Sequence, residues 1–302
     1  MQNTVEKAAV LVETLPYIQK FTGKTVVIKY GGNAMLNSEL KRSVIQDIVL
    51  MKFIGLRPVV VHGGGPEITA LLKQMGKQST FVSGLRVTDE ETMAAAEMVL
   101  VGKINTELVA LLNSQGARAV GLSGKSAGLI RARKHLATVY EGGTAREVDI
   151  GFVGDVAEVR PDIIWTLLNN DYIPVIAPIG AGAAGESYNI NADYVAGEVA
   201  GALRAEKLML LTDVEGIYRD YRDKSTFISS LTFAAAKKLI RDGGIDGGMI
   251  PKVEACIRAL SGGAAKAHII DGRQNHSLLL EIFTDTGIGT EVVKGEGEID
   301  EC

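Results

Sequence analysis

VVIKYGGNAM, residues 26–35, is a β-branched run that reaches Lys29, passes through Gly31 and Gly32, and then enters a helical pattern. Strand, cation, glycine pair and helix start together outline an anion site. Glycines let backbone N–H groups come close to a ligand, and a helix N-terminus adds partial positive charge. Lysine adds a compact full charge. Taken alone, the stretch fits a plain βα turn with a solvated lysine equally well, because Gly-Gly is common in such turns.

The same logic recurs downstream. Residues 58–62, PVVVH, read as a buried strand that ends in Gly63-Gly64-Gly65, with Pro66 at the favoured first helical position. Two such turns on neighbouring parallel strands would face one sheet edge, where α/β folds bind ligands. Strands and helices alternate elsewhere too. Strands are expected near residues 119–122, 173–179, 207–212, 267–270 and 286–293, and edge hairpins over 139–159. Helices are expected over 4–21 (bent or broken at Pro16), 38–54, 66–75, 161–168 and 232–241. Thr88 and Glu91 have capping-box spacing for a helix that follows Arg86. Residues 180–185 read as a glycine-rich loop, and residues 295–302 as an acidic, frayed tail. This alternation predicts an α/β fold with a mainly parallel sheet covered on both faces.

The chain has 302 residues, enough for one large α/β unit or two lobes. Hydrophobic residues are 46% and charged residues 23%, as in a soluble globular protein. Net charge is −4, so nothing draws the chain in bulk to nucleic acid or to anionic lipid, and an anion would need a local positive site. Cys256 and Cys302 make no disulfide framework. The N-terminal MQNTVEKAAV has no uninterrupted apolar core of a signal peptide, and no apolar run is long enough for a bilayer. A cytoplasmic protein is expected.

Three motifs compete for the chemistry. Residues 119–126, AVGLSGKS, resemble a relaxed phosphate loop, but an apolar strand lies where the backbone should wrap phosphates. Residues 180–185, GAGAAG, match G-x-G-x-x-G, yet ESYNIN intervenes before the next helix. A dinucleotide-dependent oxidoreductase is therefore the weaker alternative. HGGG at 62–65 resembles an esterase oxyanion strip, but no G-x-S-x-G follows. What remains is Lys29 and Lys252 at glycine-rich turns, the turns themselves, Arg86, and a cluster of Asn189, Asn191 and Asp193 at a helix start. Cations and backbone donors without a nucleophile are what phosphoryl transfer requires.

VVIKYGGNAM, VVVHGGGPEI, GLRVTD, YNINAD, LLTDVEGIY and GGMIPK, in this order, resemble the amino-acid kinase family. The likeness is to its arginine-sensitive members, which phosphorylate N-acetyl-L-glutamate. It implies an open αβα sandwich. Residues 1–22 would be an N-terminal helix for oligomerisation, 23–205 an acetylglutamate-binding lobe and 206–302 an ATP-binding lobe. ATP with Mg²⁺ would be the phosphoryl donor, and another carboxylate or carbamate kinase of the family is the alternative activity.

The resemblance also implies roles. Lys29 and Lys252 would stabilise the transition state, with Asp193 holding them. Gly31 and Gly32 would donate to the phosphoryl group, and Gly64 and Gly65 to the phosphoryl group and substrate. Arg86 and Asn189 would hold the substrate carboxylate, with Asn191 close by. Thr212, Asp213 and Gly216 fall where the family binds nucleotide, and no metal cage is expected. Tyr17, Lys207, His268, Glu281 and Gly287 would line an inhibitory L-arginine site in a hexamer. Some photosynthetic members also bind a PII-type nitrogen-signal protein, and no residue here assigns or excludes that partner.

Overall fold

The computed structural model describes residues 2–35, 37–141, 144–245 and 247–295. The acidic tail beyond Gly295, the glycine pair at 142–143 and Asp246 of the GGIDGGMIPK stretch lie outside the described residues.

The N-terminal helix is in two pieces, α1 (Gln2–Glu13) and α2 (Leu15–Phe21), with the break at Thr14 and Pro16 in the first turn of the second piece. Strand β1 (Thr25–Tyr30) follows, then a 3₁₀ turn, Gly32–Met35, and α3 (Ser38–Phe53). The Asn37 side chain caps α3 by accepting from the N–H groups of Glu39 and Leu40. Strand β2 (Arg57–His62) leads into α4 (Gly65–Gln74). A small hairpin, β3 (Phe81–Val82) and β4 (Leu85–Arg86), precedes α5 (Glu90–Glu97). The expected cap of α5 is corrected by one residue. Asp89 accepts from the Thr92 N–H, while buried Thr88 turns its hydroxyl to the Arg86 carbonyl. A π-helical segment, Met98–Asn105, joins α5 to α6 (Thr106–Ser114).

Strand β5 (Ala119–Ser123) comes next, then a long antiparallel hairpin of β6 (Ile130–Glu141) and β7 (Thr144–Val159). Helix α7 (Asp162–Asn169) follows. The strand expected over 173–179 is two strands, β8 (Ile173–Ala177) and β9 (Ile179–Ala181), parted at Pro178. Proline has no N–H for the ladder and ends β8 there. β9 pairs antiparallel with β10 (Ser187–Asn189). Of the GAGAAG stretch, Gly180 and Ala181 are strand, while 182–185 form the connecting loop of a β-hairpin. A nucleotide-binding G-x-G-x-x-G would have to open a helix there, so the dinucleotide reading has no structural footing. Helix α8 (Ala192–Ala202) and strand β11 (Lys207–Thr212) follow. The rest comprises β12 (Ile217–Tyr218), β13 (Phe227–Ile228), β14 (Ser230–Thr232), α9 (Phe233–Arg241), α10 (Ile250–Ser261), β15 (Lys266–Asp271), α11 (Ser277–Ile282) and β16 (Thr290–Val293). The last strand is shorter than expected, because Gly287 and Gly289 belong to the preceding turn.

Eight strands form the main sheet in the order β14-β16-β15-β11-β1-β2-β8-β5. All its pairings are parallel except β15 with β16. Alternate residues of its central strands enter opposite cores. Val26, Ile28, Val60, Met209 and Leu211 pack with α3, α4, α6 and α11. Val27, Val59, Val61, Leu208 and Leu210 pack with α7, α8 and α10. This period-two division makes the layers helix, sheet, helix. The mainly parallel α/β class expected from the sequence is the observed one. No helix among the described residues is long and apolar enough to cross a membrane.

Asp47 of α3 is fully buried and accepts from His276, which stands in a left-handed conformation just before α11. Burial pushes the Asp47 carboxyl up to about 6, against the pull of His276 and the N–H groups of Leu278 and Leu279. The folded chain therefore holds a proton at pH values where the unfolded carboxyl has released it. The resulting stability is fully present below about pH 4 and is lost as pH rises through about 6. Asp47→Asn should remove this slope, worth up to about 3 kcal/mol between those limits. Urea unfolding at several pH values tests it. An unchanged slope in the variant would refute the assignment to Asp47.

Candidate active site

β1 and β2 lie side by side with Lys29 opposite Val61 and Tyr30 opposite His62. Both glycine turns therefore leave the same end of the sheet. The Gly63 N–H donates to the Tyr30 carbonyl at 2.8 Å, which ties one turn to the other. A methyl group on Gly31 would lie 3.2 Å from Lys29 Nζ and 3.5 Å from Gly63 N. Glycine leaves that space to the lysine. A side chain on Gly64 would meet Ile104 at 2.4 Å and Leu100 at 2.7 Å. The strip is packed from below, and α4 begins immediately after it.

Asp193 joins the two halves of the chain at this place. It lies in the first turn of α8, where Asn191 caps the helix by accepting from the Asp193 N–H at 2.8 Å. Lys29 Nζ is 2.9 Å from Oδ1 and Lys252 Nζ is 3.3 Å from Oδ2. Burial pushes the Asp193 carboxyl up, but the two ammonium groups outweigh it and hold the pKa below the ordinary carboxylate value. One carboxylate between two ammonium groups leaves a local excess of positive charge on a chain of net charge −4. Lys252 is placed by α10, which touches α8 almost backbone to backbone. A side chain on Gly197 would sit 2.5 Å from the Ala255 carbonyl oxygen, and one on Gly201 2.9 Å from Gly262 Cα.

Lys252 also lines a cavity of about 690 Å³, with Thr212, Asp213, Gly216, Tyr218 and Met249 among its other walls. This volume suits a nucleotide-sized ligand. Gly216 has φ +154°, and a side chain there would clash with Thr290 Oγ1 at 2.6 Å. The residues expected to meet nucleotide thus share one cavity with one of the two lysines. Tyr218 and Met249 were not singled out from the sequence, although DVEGIY and GGMIPK contain them.

Arg86 is buried beside the start of α4. Its guanidinium donates to the Gly65 carbonyl at 2.9 Å, to Thr69 Oγ1 at 2.8 Å and to Ser79 Oγ, and it lies over the Phe81 ring. Burial draws its pKa down. These partners are all neutral, so they orient the charge without offsetting it. Asn189 is on β10, and the Asn191 side-chain oxygen is occupied in capping α8.

The five residues expected around an inhibitor gather elsewhere, where β11, β15 and α11 meet α2. Lys207 Nζ is 3.1 Å from His268 Nε2, and His268 Nδ1 is 2.6 Å from Glu281 Oε1. An ammonium group can only donate, so Nε2 accepts and Nδ1 carries the proton. Burial lowers the pKa of both Lys207 and His268. Glu281 Oε2 accepts from Ile288 N–H at 2.7 Å, next to Gly287 with φ +61°. Tyr17 packs edge-on against Phe283 and donates to Asp285 Oδ1 at 2.6 Å. Asp285 was not anticipated from the sequence.

The family model "Amino acid kinase family" matches residues 24–271. The chain belongs to the amino acid kinase family. Within this family it groups with the acetylglutamate kinases. It is 60% identical over 291 residues to the acetylglutamate kinase of Moorella thermoacetica, covering 96% of this chain and 98% of that one. It is also 60% identical to that of Heliobacterium modesticaldum, covering 97% and 100%. This amino acid kinase is therefore an enzyme, a phosphotransferase. Among solved structures it resembles an N-acetylglutamate synthase from Neisseria gonorrhoeae, complexed with coenzyme A and N-acetyl-glutamate, with a TM-score of 0.80 and 27% identity. That match covers 95% of this chain but spans only 63% of the synthase chain. A carbamate kinase from Giardia lamblia bound to AMP-PNP, at TM-score 0.65 and 20% identity over 90% of this chain and 99% of that one, shares the fold.

Proposed function

We propose that this amino acid kinase transfers the γ-phosphoryl group of ATP, bound as its Mg²⁺ complex, to the side-chain carboxylate of N-acetyl-L-glutamate. The reaction would be a step of arginine biosynthesis in the cytoplasm. The observation that carries the reading is Asp193 holding Lys29 and Lys252 between the glycine turns and the cavity. The acceptor carboxylate is already ionised at neutral pH, so no general base is needed. Arg86 holds the substrate's other carboxylate, with Asn189 and Asn191 alongside. The N–H groups of Gly31, Gly32, Gly64 and Gly65 meet the transferring group. Thr212, Asp213 and Gly216 bind the nucleotide. As the phosphoryl group moves, charge spreads over its equatorial oxygens, and the two ammonium groups neutralise it without reorganising. With Mg-ATP, N-acetyl-L-glutamate should be turned over at least about a hundredfold better than glutamate, aspartate or carbamate. A coupled ADP-release assay checks this, and faster turnover of any of the other three would overturn the acceptor.

L-arginine, in this reading, inhibits from the cluster of Tyr17, Lys207, His268, Glu281 and Gly287. Its guanidinium suits Glu281 and its carboxylate suits Lys207. A hexamer is supported by α1 and α2, which expose Val10, Leu11, Val12 and Leu15. Full burial of such a side chain is worth about 1.5–3 kcal/mol, and each of these four, half or more exposed, forgoes a large part of that in a single copy. L-arginine should lower turnover and raise Tm. Deleting residues 1–21 should convert hexamers to dimers and abolish the inhibition. Unchanged turnover and Tm with arginine, or hexamers that persist after the deletion, would refute this part alone.

A further inference from the structure

His62 ends β2, has no exposed surface, and takes no part in the mechanism above. Its Nδ1 is 3.0 Å from the Gly63 carbonyl oxygen and its Nε2 is 3.2 Å from Asn105 Nδ2. Asn105 Nδ2 also donates to the Val175 carbonyl at 2.9 Å, which fixes which way its amide faces. An amide nitrogen only donates, so Nε2 accepts and Nδ1 carries the proton to Gly63. Both ring nitrogens are thereby committed, and the ring stays neutral, its pKa drawn down to about 4 by burial.

We propose that His62 and Asn105 are positioning residues that aim the Gly64 amide N–H at the transferring phosphoryl group. The C=O and N–H of a planar trans peptide point in opposite directions. Pinning the Gly63 oxygen on His62 therefore turns the Gly64 N–H away from the buried ring. Gly64 caps α4, so this N–H has no acceptor within the helix. The rest of the strip is fixed independently. Gly63 N–H is held by Tyr30, and Leu100 and Ile104 press on Gly64 Cα. Leu100, Ile104 and Asn105 all belong to the π-helical segment, whose wider winding puts the three under one turn. Gly121 leaves room for this arrangement, since a side chain there would come within 2.0 Å of Asn105 Oδ1.

The inference rests on the phosphoryl-transfer reading. If the wild-type enzyme fails to turn over N-acetyl-L-glutamate, that reading fails, while the tautomer of His62 can still be measured. His62→Ala should lower kcat about 10- to 100-fold with the KM for ATP within about twofold. His62→Asn should restore kcat to within about fivefold of wild type, because its amide nitrogen stands where Nδ1 stood. Asn105→Ala should fall between them. Leu72→Ala, in the same core, should lower Tm without the loss of kcat. In ¹⁵N-histidine spectra of the full chain, His62 should be the Nδ1–H tautomer and stay neutral at pH 5. The proposal is overturned if His62→Ala keeps kcat within twofold, if His62→Asn is no better than His62→Ala, or if His62 is the Nε2–H tautomer. Should His62→Ala not fold, Asn105→Ala and the tautomer decide.

Discussion

Lys252→Ala is expected to lower kcat by about a thousandfold or more, and Lys29→Ala by a similar factor. In the proposed mechanism, each removes a full positive charge from the place where the phosphoryl oxygens gain negative charge. Neither cation has to be recruited, because Asp193 already holds both within 3.3 Å. The double variant should lose far less than the product of the two single losses if the lysines, both paired with Asp193, act as a unit as proposed. The expected loss is in kcat. Nucleotide affinity should change less, since the cavity has many other walls. Measuring kcat at saturating substrates, with ATP binding by fluorescence and Tm as controls, decides the matter. Retention of kcat within tenfold in both single variants would end the two-lysine account.

Asp193→Asn should be costly in a different way. Both ammonium groups would remain close together with no carboxylate between them. Removing one partner of a buried charged cluster typically costs about 3–5 kcal/mol. The wild-type carboxyl is held below its ordinary pKa, so its stabilisation is present above about pH 4 and is lost as pH falls through the folded value. At pH 7 the variant should therefore show nearly the full loss in urea unfolding. Misplaced lysines should also reduce kcat about a hundredfold. A variant with wild-type stability and turnover would show that Asp193 holds nothing.

The sequence was most legible where one residue type meets one backbone need. β1, β2 and β11 are β-branched or leucine-rich runs, and they fold as strands because both faces of a parallel sheet are buried. Lys29 and Lys252 stood out because glycines flank them. Other features depend on partners far along the chain. Asp47 meets His276 across 229 positions, and no local pattern records such a contact. His62 at the end of an apolar run reads as ordinary core until Asn105 is seen beside it. Thr88 looked like a cap, but burial turned its hydroxyl to Arg86 and left the capping to Asp89. The π-helical winding has no apolar period of its own to betray it.

The glycine seam between α8 and α10 has a mechanical consequence. With no side chain on Gly197 or Gly201, the two helices meet nearly backbone to backbone, and a larger residue at either position would force them apart. Asp193 and Lys252 are thus carried by one tightly packed pair of helices.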